Sequence, residues 1–181
     1  MKKLLLLLSL IAISGCLQGP GEVRTERYVL DNGMVLIVKE NHANRIVATK
    51  LLVKSGAWSE QPFEMGIRNF VQQMLLKGTE KRTAEDIAFE TDSKGISLST
   101  GVADDYLDIT MVSTGDFFAD GMEILADVVT NPSFPGEEME AERGRILEGL
   151  KAQKDDQFTS TLLLLKGELY GDHPYGYNSL G

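Results

Sequence analysis

Gly66-Ile67-Arg68-Asn69-Phe70-Val71-Gln72-Gln73-Met74-Leu75-Leu76-Lys77-Gly78-Thr79 is the stretch on which the reading of this chain turns. It reads as a helix whose polar residues Asn69, Gln72 and Gln73 interrupt an apolar face. Side chains three and four apart share one side of a helix, so the amides form a single cluster. Asn69 and Gln73, at i and i+4, are placed to hydrogen-bond each other.

The neighbouring segments supply a sheet for this helix to rest on. Upstream, Ile46 to Val53 reads as a strand with apolar Val47, Leu51 and Val53 at alternate positions, broken by Ser55-Gly56-Ala57-Trp58. Before it, Tyr28-Val29-Leu30 and Met34 to Val38 flank Asp31-Asn32-Gly33, a strong hairpin signal. Downstream, Thr83-Ala84-Glu85-Asp86 is a capping pattern that starts a helix running to about Ser93 and stopped by Gly95. Ile96 to Thr100 and Tyr106 to Val112 read as paired strands. Thr114-Gly115-Asp116 then opens a helix ended by Asn131-Pro132, Pro135-Gly136 opens another, and a last one covers about Phe158 to Tyr170. This order predicts an α+β fold, a mostly antiparallel sheet with helices packed on one face.

The quoted stretch, with its flanks, resembles the signature G-L/I-A-H-F-L-E-H-M-L-F-K-G-T of the pitrilysin/insulinase metallopeptidases. In its H-x-x-E-H core the two His hold Zn²⁺ and the Glu is the base. The same frame here reads N-x-x-Q-Q. The resemblance extends from about Tyr28 to Gly181 through Glu60, Asn131-Pro132, Glu142-Arg143, Ile146-Leu147-Glu148, Asp155-Asp156 and His173-Pro174-Tyr175-Gly176. It implies a metallopeptidase-like half, incomplete, covering residues 25–181; in the family this is most of the first of two similar halves. The chain is then a fragment or a short relative.

The resemblance also implies a site that has lost its chemistry. Relatives draw a third zinc ligand from a Glu on a later helix, and counted from Gln73 that position is Gly149, with Glu148 beside it. A one-residue step turns a side chain about 100° around a helix, so Glu148 points elsewhere unless the helix is distorted. Asn and Gln offer neutral carbonyl oxygens where a catalytic zinc takes imidazoles and a carboxylate, and Gln72 has no basic site with which to take a proton from water. Asn69, Gln72, Gln73 and Gly149 are thus the degenerate positions, and the implied outcome is no catalytic residue and no metal. Ser99 stands where active relatives often carry Asn beside the cleft, so Asn69, Gln72, Gln73 and Ser99 together form a candidate peptide-binding cleft. His42 and His173 are the only histidines and read as a solvated loop residue and a residue orienting the turn into Tyr175.

With 181 residues and 43% hydrophobic content, the chain can bury one domain's core. Met1-Lys2-Lys3 and the apolar run Leu4 to Ile13 read as an export signal, its h-region too short for a mature span. Ile13-Ser14-Gly15-Cys16 resembles a bacterial lipobox, which would lipidate Cys16, the single cysteine. Residues 1–16 are then a lipoprotein signal peptide and 17–24 a tether. Removing Lys2 and Lys3 with the leader takes 18 basic residues to 16 against 27 acidic ones, a net −11 that argues against nucleic-acid binding.

The function expected from these readings is that of a catalytically inactive homologue of a zinc metalloendopeptidase. It would be exported, lipid-anchored in the cell envelope, bind peptide or unfolded protein, and partner an active zinc-bearing family member, since several relatives work as pairs of one zinc-bearing and one zinc-less chain. Two alternatives stand beside it: a zinc peptidase, active or weakly so, using atypical ligands such as Glu148 and Gln73, and a truncated remnant without function.

Overall fold

The computed structural model of the chain describes residues 24–181; the leader with Cys16, and the tether up to its last residue, lie outside the described residues. The chain divides into two compact units, one ending at Arg45 and one covering Ile46–Gly181.

In the first unit, β1 (Thr25–Val29) and β2 (Val35–Lys39) form an antiparallel ribbon in register from Thr25 opposite Lys39 to Val29 opposite Val35. The hairpin is as expected, with Asp31-Asn32-Gly33 at the tip of its loop. The loop runs from Leu30 to Met34, and the Leu30 N–H donates to the Met34 carbonyl at 2.8 Å. The Asn32 side-chain oxygen accepts from the Met34 N–H at 3.0 Å, so Asn32 stabilises the loop through its side chain as an Asx turn does.

The second unit holds a sheet of β3 (Ile46–Val53), β4 (Ser97–Val102) and β5 (Leu107–Thr114), ordered β3-β5-β4 and antiparallel throughout. Its helices are α1 (Ile67–Met74), α2 (Ala84–Ser93), α3 (Phe118–Thr130), α4 (Gly136–Asp155) and α5 (Gln157–Tyr170). The central strand shows why the sheet takes helices on one face. Leu107, Ile109, Met111 and Ser113 are buried while the residues between them are only half-buried, the period-two signature of a strand covered more fully on one side. Ile109 and Met111 pack with Leu75, Ile96, Leu107 and Leu125 into one core cluster, and Ile87, Ile124 and Val128 join α2 to α3 in a second. Burying a side chain such as Ile109 is worth about 1.5–3 kcal/mol, so these two clusters bind the helices to the sheet. The α+β architecture read from the sequence is the architecture observed.

Helix ends depart from the sequence reading where tertiary contacts intervene. The first helix ends at Met74 rather than running toward Thr79, because Gly78 and Thr79 are drawn into isolated bridges with Thr83 and Pro132. Thr83 caps α2 in a capping box, accepting from the Asp86 N–H at 3.1 Å while Asp86 accepts from the Thr83 N–H at 2.9 Å. Asp156, at the junction of α4 and α5, caps α5 by accepting from the Thr159 N–H at 2.8 Å. Among the described residues no helix is long and apolar enough to cross a membrane.

Candidate functional site

The amide helix is held at both ends by groups outside it. At its N-terminus the first N–H groups of a helix have no intrahelical partner. Glu60, 3% exposed, fills that role from a distance: its carboxylate accepts from the Gly66 N–H at 2.9 Å and the Arg68 N–H at 2.8 Å. A negative charge there also suits the helix dipole. Gly66 enters the helix at φ +83°, and a Cβ on it would stand 2.5 Å from the Leu180 carbonyl oxygen, so only glycine fits between the helix and residues 180–181. Further along, the Thr100 hydroxyl of β4 donates to the Gln72 carbonyl at 2.9 Å and ties the helix to the sheet.

Within the helix the amides pair differently from the sequence expectation. Gln72 Nε2 donates to Asn69 Oδ1 at 3.4 Å, and both residues are buried, whereas Gln73 is exposed and turned toward a groove it shares with Leu76, Lys77, Glu85 and Thr100. The i,i+3 neighbour is covered by the fold and the i,i+4 neighbour is not, so burial selects the pair. The pair is half-satisfied: Asn69 Nδ2 and Gln72 Oε1 are buried with no partner among the described residues. Each such orphan costs about 1–3 kcal/mol, which is the size of an ordinary mutational effect.

Gly149 sits half-buried on α4, the helix that packs against α1. A Cβ there would meet only Leu180 Cδ1, at 3.7 Å. Glu148 is exposed. Ser99 is also exposed, because side chains alternate along β4 and the neighbour on the α1 side is Thr100; the structure therefore brings Thr100, not Ser99, to the amides. Among the described residues no three His, Cys, Asp or Glu side chains converge into a group able to hold a metal ion. His173 accepts from the Tyr175 N–H at 3.2 Å and stacks edge-on with its ring, the turn-orienting part read from the sequence, and the His42 side chain is 91% exposed.

Two roles had no explicit signal in the sequence. Glu60 was legible as a family-like residue but not as a cap, since it lies six and eight positions from the N–H groups it serves. Thr79, the last residue of the quoted stretch, is a structural lock. Its hydroxyl donates to Asp127 at 2.8 Å and accepts from the N–H groups of Lys81 and Arg82, while Arg82 pairs with Asp127, Glu90 and Glu123. Burial pushes the Asp127 carboxyl up, but hydrogen bonds from Thr79, Asn131 and Arg82 and the Arg82 charge overcome it and bring it down to about 2. On α4 the buried Glu142 pairs with Arg145 at 2.5 Å rather than with adjacent Arg143, because i,i+3 neighbours face each other on a helix.

The family model for insulinase (peptidase family M16) matches residues 35–181. The uncharacterized zinc protease YmxG of Bacillus subtilis (strain 168) is 27% identical over 156 residues, covering 86% of this chain and 38% of its own. An uncharacterized zinc protease of Rickettsia bellii (strain RML369-C) is 29% identical over 152 residues, 84% of this chain and 37% of its own. Among solved structures, a peptidase M16 inactive domain from Pseudomonas fluorescens superposes with a TM-score of 0.82 at 22% identity, covering 88% of this chain and 39% of that one. The chain thus spans less than two-fifths of the length of each of these relatives. Since the family match runs unbroken from β2 to the final residue and takes in the sheet, the amide helix and α4, the chain belongs to the insulinase family, peptidase family M16.

Proposed function

We propose that this chain is a non-catalytic member of its family, an exported and lipid-anchored peptide-binding subunit that works beside a zinc-bearing relative. One observation carries the first part of this reading. The helix that would present two imidazoles and a carboxylate presents a buried Asn69–Gln72 amide pair, with Gln73 exposed and Gly149 without a side chain to offer. Zinc does not fit this donor set, which is neutral, oxygen-only and short of three ligands. Nor does Gln72 fit the part of a general base, because an amide takes no proton near neutral pH. The name of the Pseudomonas fluorescens neighbour, an inactive domain, is in keeping with this reading, while the zinc-protease relatives mark the alternative of activity through atypical ligands.

The peptide-binding part rests on β4, which lies at an edge of the sheet beside the groove lined by Gln73 and Thr100. An edge strand offers unpaired N–H and C=O groups to which an extended peptide can add as another strand, so binding can outlive hydrolysis. The purified chain is expected to hold far less than one equivalent of zinc after metal loading and to cleave no peptide. Elemental analysis with a quenched-peptide assay checks this, and one tightly held equivalent with chelator-sensitive cleavage would establish the atypical-ligand alternative instead.

A further inference from the structure

The open edge of β4 fixes where an added strand would put its side chains. In an antiparallel pair, directly opposed residues alternate between hydrogen-bonded and non-hydrogen-bonded. The Ala103 N–H donates to the Tyr106 carbonyl at 2.8 Å, which makes that pair a hydrogen-bonded one. Along the β4–β5 register, Gly101 opposite Asp108 and Ser99 opposite Thr110 lie two and four residues further on and are hydrogen-bonded as well. Leu98, Thr100 and Val102 therefore turn their N–H and C=O groups away from β5, toward an edge on which no strand pairs among the described residues. Opposed residues on neighbouring strands project to the same face of the sheet. Thr100 projects to the α1 side, where its hydroxyl meets the Gln72 carbonyl. A peptide residue paired with Thr100 would thus send its side chain to that side, toward the groove that Thr100 lines.

That groove has a volume of about 480 Å³. Leu76, Ala84 and Ala88 give it an apolar lining, and its charged residues are Lys77 and Glu85. The two charges are not equivalent. Lys77 is paired with Glu138, Nζ to Oε2 at 3.6 Å, whereas the exposed Glu85 forms no ion pair among the described residues. What the groove leaves unanswered is one negative charge beside an apolar lining. A Lys or Arg side chain answers both parts, because its alkyl stem lies along apolar surface while its charged head stays in water. A purely apolar side chain leaves the carboxylate unused, and an acidic one meets it with like charge. The net charge of −9 on the whole chain adds long-range attraction for a cationic peptide. We propose that the groove selects a basic side chain at the peptide position paired with Thr100, with Glu85 as the specificity-determining residue. This rests on the peptide-binding reading above and names the class of peptide that the edge would take.

The probes are three pentapeptides of sequence Thr-Val-X-Val-Thr, amidated at the C-terminus and labelled with fluorescein at the N-terminus, in which X is Lys, its neutral isostere norleucine, or Glu. Each is titrated with the purified chain at low ionic strength and followed by fluorescence anisotropy. The Lys peptide should bind about two- to fivefold more tightly than the norleucine peptide, the range of an exposed ion pair, and the Glu peptide should be the weakest. Added salt should narrow the gap. Glu85→Gln should bring the Lys peptide to the level of norleucine and leave norleucine unchanged, and Glu85→Lys should make the Glu peptide the tightest, with thermal melting showing that both variants remain folded. Equal affinity of the three peptides, or a Lys preference that survives Glu85→Gln, would overturn the specificity proposal and leave peptide binding standing. Binding of none of the three would overturn both.

Discussion

Asp127 shows most plainly what a single residue does for this fold. It is 5% exposed and gathers Thr79, Arg82 and Asn131 from two separate parts of the chain. Its folded carboxyl at about 2 lies below the ordinary 3.8, so its contribution is fully present above about pH 4 and is lost as pH falls toward 2. The shift corresponds to about 2 kcal/mol. The expected outcome is a melting temperature that falls between pH 4 and pH 2 in the native chain and falls less steeply in Asp127→Asn. At neutral pH Asp127→Ala should cost about 1–3 kcal/mol, because the buried Thr79 hydroxyl loses its acceptor while Arg82 keeps Glu90 and Glu123. Chemical denaturation measures it. None of this was legible in sequence, since Thr79 and Asp127 lie 48 positions apart and only the fold joins them.

At the scale of elements, legibility followed the range of the forces involved. Helix α2 begins and ends where its capping box and Gly95 say, because those signals act within four residues. The third strand, Ile46–Val53, also lies where its alternation puts it. The amide helix does not, since Met74-Leu75-Leu76 keeps a helical pattern in sequence and it is the distant bridge of Thr79 to Pro132 that ends the helix. The same limit explains the amide pair: spacing allows Asn69 to meet either Gln72 or Gln73, and only the packing around the helix chooses. Four substitutions test how the helix pair is held. Glu60→Ala removes the acceptor for two N–H groups and should cost about 1–2 kcal/mol, with Glu60→Gln costing less. Gly149→Ala should be neutral or stabilise by up to about 1 kcal/mol, since its Cβ meets only Leu180 and helix interiors disfavour glycine. Gly66→Ala, strained and clashing with the Leu180 carbonyl, should destabilise; urea unfolding ranks all four.

Taken as a whole, the molecule presents more apolar surface than its core explains. Phe158, Leu162, Leu165 and Leu169 recur at spacings of four, three and four along α5, which places them on one side of the helix, and they are exposed by 78, 43, 52 and 69%. A stripe of this length at heptad-like spacing is unusual on a protein that works alone, and it is the kind of surface that is either covered by another polypeptide or drives self-association. The proposal of a companion subunit therefore makes a two-sided prediction. Purified alone, the chain should self-associate with rising concentration, and Leu165→Lys with Leu169→Lys should suppress this, read by light scattering, without lowering the melting temperature, because neither side chain is part of the core. Drawn from its native membrane, it should come down with a zinc-bearing relative in near-equal amount, and Cys16→Ser should release it from that membrane. A chain that stays monomeric at high concentration and is recovered from membranes without a companion would leave the exposed stripe unexplained and the partner proposal without support.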